Sequence, residues 1–274
     1  MTTRILFLGN SHLAALKDGW RSDPGRWPGI AATFLGAHKD LLLQTRVQDG
    51  RLLPITPASR AAFARLGGED GADLAAQDLV VICGCSIALA TAAMIWRDMR
   101  WDALPSLDAV ADLASMPQRL VSFAAARESL QHSLSLRLGT MLVRHLRGGG
   151  VTLPIWLASQ PHVSAVIATR PRPDTRALTD ALAQGDAAGL SALFRVAADR
   201  AVATAGAVFL PQPPQTITAH ILTSLPFVEG ATRLSARPGL LQDVDDIRHA
   251  NAAYGAAVLD QIAAKLAGPT PSGL

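Results

Sequence analysis

Ile5-Leu6-Phe7-Leu8-Gly9-Asn10-Ser11-His12 carries an unbroken apolar run that ends in a glycine and a polar turn. A run without polar alternation suits a strand buried on both faces, and such strands belong to parallel sheets covered by helices. The pattern recurs along the chain. Strands are expected at about Arg4–Leu8, Leu41–Val47, Asp78–Cys83, Thr152–Ala158 and Ala207–Leu210. Each is followed by a turn signal: Gly9-Asn10, Gln48-Asp49-Gly50, Gly84, Gln160-Pro161 and Pro211-Gln212-Pro213-Pro214.

Helical patterns fill the intervals, at about Ser11–Gly19, Pro57–Leu66, Ser86–Met99, Leu107–Leu146, Arg176–Ala203 and Asn251–Leu266. The last is the clearest, with Ala252, Leu259, Ile262 and Leu266 at helical spacing. Strand–helix alternation without an internal repeat predicts one doubly wound α/β domain. The expected domain runs over 1–268, with a loose tail at 269–274. The stretch from about 92 to 148 is longer than a crossover needs and carries Met94, Trp96, Met99, Trp101, Met116 and Phe123. It reads as a helical insertion. Its large side chains suit either a lid over an apolar acyl pocket or the ordinary packing of long helices.

Composition excludes several classes. The charge balance is +3, only Lys17, Lys39 and Lys265 are lysines, and the arginines are scattered rather than clustered. With one tyrosine and seven phenylalanines to stack on bases, no nucleic-acid partner is expected. No stretch approaches the roughly 20 apolar residues of a membrane span. The run before Asn10 is too short for a signal peptide. Cys83 and Cys85 stand on one strand end, where a bridge would distort the chain. Without a disulfide framework or an export signal, a cytoplasmic location is expected. The histidines and cysteines show no metal-ligand spacing, and no glycine-rich nucleotide loop is present, so neither metal nor cofactor is expected.

The two ends carry the chemistry. Ser11 stands where the first strand hands over to a helix, at the carboxyl edge where open α/β sheets bind ligands. Unpaired N–H groups and the positive end of a helix dipole suit an oxyanion there. A serine after a strand is also an ordinary helix N-cap. Near the other end, Asp243-Val244-Asp245-Asp246-Ile247-Arg248-His249 precedes the last helix. The three-residue offset lets the Asp246 carboxylate reach His249 Nδ1–H, leaving Nε2 to take a proton from a serine. Asp243 and Asp245 are alternatives with less suitable offsets. An acidic stretch before a helix is also a common solvated loop. The joint occurrence, in the order Ser…Asp…His on an α/β chain, points to a triad.

Gly9-Asn10-Ser11 and Asp246-Ile247-Arg248-His249, continued by Asn251, Tyr254 and Gly255, resemble the first and last blocks of the SGNH/GDSL hydrolases. The resemblance implies a three-layer flavodoxin-like fold with a central five-stranded parallel sheet and helices on both faces. It implies Ser11 as nucleophile, His249 as general base and Asp246 as its orienter. It also implies an oxyanion hole from the Ser11 N–H, a glycine after the second strand (Gly50 fits) and a group after the third. There the family carries Gly-x-Asn-Asp, whereas this chain reads Gly84-Cys85-Ser86-Ile87, so Ser86 stands in for the asparagine. Asn10, His12, Gly84 and His162 are expected at the pocket rim. His12 and His162 could assist a polar substrate there, with a structural histidine as the bland alternative for each.

The expected function is hydrolysis of acyl or acetyl esters, of a small molecule or a glycan, through an acyl-Ser11 intermediate. Two alternatives stand beside it: a glycan O-acyltransferase, and a catalytically weak relative that binds a glycan or small ligand in the same cleft.

Overall fold

The computed structural model describes residues 2–65, 71–235 and 239–268. The tail expected at 269–274 and the end of the expected helix at Leu66 lie outside them.

Five parallel strands form the central sheet: β1 (Thr3–Gly9), β2 (Ile30–Gly36), β3 (Leu79–Cys83), β4 (Ile155–Ala158) and β5 (Val208–Leu210). Their spatial order is β2-β1-β3-β4-β5, the doubly wound, flavodoxin-like order. The register places Gly36, Gly9, Cys83, Ala158 and Leu210 in one row along the carboxyl edge. The chain leaves β1 toward β2, then returns past β1 to build β3. The crevice at this reversal lies beside the Gly9–His12 turn.

The period of two along each strand decides which helices cover which face. Ile5, Phe7, Val81 and Cys83 pack against α1 (Leu13–Ser22), while Tyr254, Val258 and Ile262 of a C-terminal helix (Ala252–Ala267) complete that core. Leu6, Leu8, Val80, Ile82 and Leu157 face the other layer. That layer contains α2 (Pro57–Ala64), α3 (Ala90–Asp98), α4 (Phe123–Ser135), α5 (Leu138–Gly148), α6 (Arg176–Ala183) and α7 (Ala187–Ala205). The C-terminal helix is α8. Each fully buried Leu, Ile or Phe of the central strands contributes about 1.5–3 kcal/mol, so the three-layer fold follows from the apolar runs.

The expected second strand is corrected. The sheet takes Ile30–Gly36, whereas Lys39–Leu43 is a 3-10 turn and Thr45–Gln48 joins a separate antiparallel sheet with Arg51–Pro54 and Ala72–Asp73. The reason is exposure. β2 is an edge strand whose Ala31 and Thr33 face solvent, so its sequence lacks a run of large apolar residues. The apolar Leu41-Leu42-Leu43 instead drives Leu42 into the core from a turn.

The insertion is helical only in part. Met99–Trp101 and Arg119–Val121 form a small parallel pair, and α4 starts only at Phe123, capped by Ser122, whose hydroxyl accepts the Ala125 N–H. Pro105 and Pro117 interrupt the helical pattern between them. Trp96 and Trp101 are buried, and the Trp96 indole N–H donates to Asp186 at 2.8 Å. These two tryptophans therefore serve core packing, while Met94 is exposed. Gly185, at φ +78°, splits the expected Arg176–Ala203 helix into α6 and α7. Among the described residues no helix is long and apolar enough to cross a membrane.

Candidate active site

Ser11 stands half-buried on the turn that leaves β1. Gly9 is required there because a Cβ would come within 2.8 Å of the Cys83 carbonyl oxygen on β3. Asn10 closes the turn, its Oδ1 accepting the His12 N–H at 3.2 Å and its carbonyl accepting the Leu13 N–H at 3.0 Å. Helix α1 starts directly beyond.

His249 reaches Ser11 from the loop that precedes α8. Its Nε2 lies 2.9 Å from Ser11 Oγ, and its Nδ1 lies 2.5 Å from Asp246 Oδ2. The other carboxylate oxygen of Asp246 accepts the backbone N–H groups of Arg248, at 2.6 Å, and His249, at 3.1 Å. Burial alone would raise the Asp246 carboxyl, but the His249 ring and these backbone donors outweigh it and hold it at about 2. Asp246 is therefore a carboxylate at neutral pH, able to fix the His249 tautomer and to stabilise an imidazolium. Of the alternative acids, Asp243 pairs with Arg233 at 2.5 Å, and Asp245 offers its backbone carbonyl to Arg172 at 2.9 Å.

Long-range contacts hold this loop. Ile247 is buried and its carbonyl accepts the Ser164 N–H at 2.8 Å. Arg248 pairs with Asp174 at 2.6 Å, and Arg172 lies 3.5 Å from the same carboxylate. The hydrogen bond from Arg248 holds the Asp174 carboxyl below its usual range. Nothing in the sequence signalled Arg172 and Asp174, which lie about seventy residues upstream of the acid loop.

The helices behind Ser11 and His249 touch backbone to backbone. A Cβ on Gly255 of α8 would lie 1.8 Å from the Ala15 carbonyl oxygen of α1, and one on Gly19 would lie 2.6 Å from the Ala256 nitrogen. Ser11 and His249 thus stand at the starts of two helices locked at one crossing.

On the opposite side of Ser11, β3 ends in Gly84, Cys85 and Ser86, whose φ values are +73°, +51° and +66°. A Cβ on Gly84 would come within 3.0 Å of Asn10 Oδ1 and of the His12 ring. Gly84, Asn10 and His12 therefore stand together at the turn. Ser86 is exposed and does not cap α3, whose cap position is Leu89. Cys85 lies buried beneath; burial pushes its thiol up to about 12 against a hydrogen bond from the Asn10 backbone, so it stays protonated.

Two expected site residues lie elsewhere. Gly50 sits in the hairpin turn between Thr45–Gln48 and Arg51–Pro54 and borders a cavity of about 290 Å³ with Val151 and Leu153. Those residues lead into the amino end of β4, so Gly50 is at the opposite edge of the sheet and cannot serve an oxyanion at Ser11. The physical reason is that β2 ends at Gly36, level with Gly9. His162 turns inward instead of lining a rim: it is buried edge-on to Phe194, with ring centroids 6.1 Å apart, and burial lowers it to about 4.

Beside Asp246 and His249 opens a cleft of about 300 Å³ lined by Arg172, Asp243, Asp245 and residues 246–249. No residue of the 92–148 insertion lines it. Among the described residues no group of three His, Cys, Asp or Glu is placed to hold a metal ion. Comparison with protein-family models, curated proteins and solved structures returned no match.

Proposed function

We propose that this chain is a serine hydrolase that cleaves carboxylic esters through an acyl-Ser11 intermediate. The observation that carries the reading is the continuous line Asp246–His249–Ser11, at 2.5 Å and 2.9 Å, on the carboxyl edge of the sheet. In this reading Ser11 Oγ attacks the ester carbonyl while His249 Nε2 takes its proton. Asp246 holds the ring and offsets the charge it gains. The Ser11 N–H and the Ser86 hydroxyl donate to the oxyanion. Collapse breaks the acyl–oxygen bond, and His249 returns the proton to the departing alcohol. A water molecule, deprotonated by the same nitrogen, then releases the carboxylic acid and restores Ser11.

The cleft is open and lined with charged and polar groups, which supports a short acyl group on a polar alcohol. A fluorophosphonate probe together with a short p-nitrophenyl ester tests the proposal. Wild type should be labelled once per chain and should release nitrophenol; Ser11→Ala should do neither. Undiminished hydrolysis by Ser11→Ala would move the nucleophile elsewhere, and an unlabelled, inactive wild type would overturn the reading.

A further inference from the structure

His12 follows the candidate nucleophile in sequence, yet its ring lies against the candidate base. The His12 and His249 rings are stacked, with centroids 4.8 Å apart and planes inclined by 22°. Three features hold His12 there. Its backbone N–H is tied to Asn10 Oδ1. Its side chain is buried. Gly84 leaves room that no other residue would, since a Cβ would come within 2.9 Å of His12 Cβ and 3.0 Å of Cδ2. Its Nδ1 is sealed from solvent without a hydrogen-bond partner among the described residues, so no hydrogen bond to that nitrogen sets the ring's orientation.

We propose that His12 is a positioning residue for His249, a neutral ring that holds the base in the plane joining Ser11 to Asp246. This rests on the reading of Ser11, Asp246 and His249 as a triad. The Cβ–Cγ bond and two hydrogen bonds at the nitrogens leave the His249 ring some rotation about its side-chain torsions, since a terminal sp3–sp2 torsion is broad. An offset-stacked neighbour removes that freedom without competing for either hydrogen bond. The charged or titratable groups acting on His12 are His249, Asp246 and Arg248. Burial, then the positive charge of His249, lower His12 to about 3 against the opposing pull of Asp246. His12 therefore stays neutral while His249 gains a proton, and the stack survives the step that a cation at position 12 would oppose.

Three variants test this. His12→Ala removes the ring, His12→Leu refills the volume without a flat face, and His12→Phe restores a flat face without nitrogens. The readouts are kcat and KM on a p-nitrophenyl ester, and the far-downfield proton resonance of His249 Nδ1–H bonded to Asp246. His12→Ala and His12→Leu should lose or broaden that resonance and lower kcat by roughly ten- to a hundredfold, with KM little changed. His12→Phe should rescue both. A His12→Leu variant that keeps the resonance and kcat, or a folded His12→Phe that fails to rescue, overturns the proposal. The resonance is read without substrate. An unlabelled, inactive wild type would therefore defeat the esterase reading, while the resonance in the three variants would still decide the role of His12.

Discussion

At Ser86, residue type and backbone conformation are in tension. It is the third of three successive residues with positive φ, and for a non-glycine residue this costs about 1–3 kcal/mol. The surroundings impose the conformation. The Cys85 carbonyl accepts the Gly139 N–H at 2.8 Å, and the Ile87 carbonyl accepts the Gln160 N–H at 2.8 Å. Strain held in this way beside a candidate nucleophile is expected where a donor must face the substrate. Ser86→Ala should lower turnover by roughly ten- to a thousandfold with KM little changed, because an oxyanion contact forms mainly in the transition state. Its melting temperature should hold, since the hydroxyl caps no helix. Ser86→Gly should lose the same turnover yet melt higher, by about 2–4 °C per kcal/mol of relieved strain. Unchanged turnover in both variants would remove Ser86 from the oxyanion hole.

Among elements, the crossing of α1 and α8 does most to bring the two chain ends together. Ser11 and His249 lie 238 residues apart in sequence, and one backbone contact at Gly19 and Gly255 sets how their helix starts face each other. A methyl at position 255 must push α8 off Ala15, an overpacking that typically costs about 1–3 kcal/mol. Gly255→Ala should therefore lower the melting temperature by several degrees and reduce kcat by an order of magnitude or more as His249 withdraws from Ser11. Gly148→Ala is the control. No atom lies within 4 Å of a Cβ built there, so melting point and kcat should stay near wild type. Thermal melts and steady-state kinetics on the two variants check this; equal behaviour would mean that the crossing adjusts without moving the site.

For the molecule as a whole, burial of two neutral histidines makes acid the weak side of its stability curve. His12 and His162 are lowered from 6.5 to about 3 and about 4, each chiefly by burial. Unfolding lets both take up protons near their ordinary pKa, so the unfolded chain binds more protons at mildly acid pH. The stability from keeping them neutral is whole above about pH 6.5 and declines as pH falls toward 4. Each proton contributes a slope of up to about 1.4 kcal/mol per pH unit. Asp246 adds a later loss: its carboxyl is depressed to about 2, so its stabilisation is present above about pH 4 and fades as pH falls through 2. Urea midpoints should fall between pH 6.5 and 4, and His12→Phe and His162→Phe should each flatten the curve. A double variant with the wild-type slope would show that neither histidine is the proton acceptor.

What the sequence determined by itself was local. The apolar period of Ile5–Leu8 and Leu79–Cys83 specifies buried parallel strands, because a strand flanked by helices on both faces has no polar side to display. The three-residue offset from Asp246 to His249 and the Gly9–Ser11 turn are likewise set within a few bonds. Tertiary structure alone decided the rest. β2 is an edge strand with solvent-facing Ala31 and Thr33, so its apolar signal is weaker than that of its neighbours, and the leucines at 41–43 imitated it. That slip carried Gly50 to the wrong end of the sheet. The stack of His12 on His249, the hold of Arg172 and Asp174 on the acid loop, and the glycine contact of α1 with α8 join segments about seventy to 240 residues apart. Spacing within one segment carries no trace of such partners, because their distances arise only when the sheet and its two helical layers close on one another.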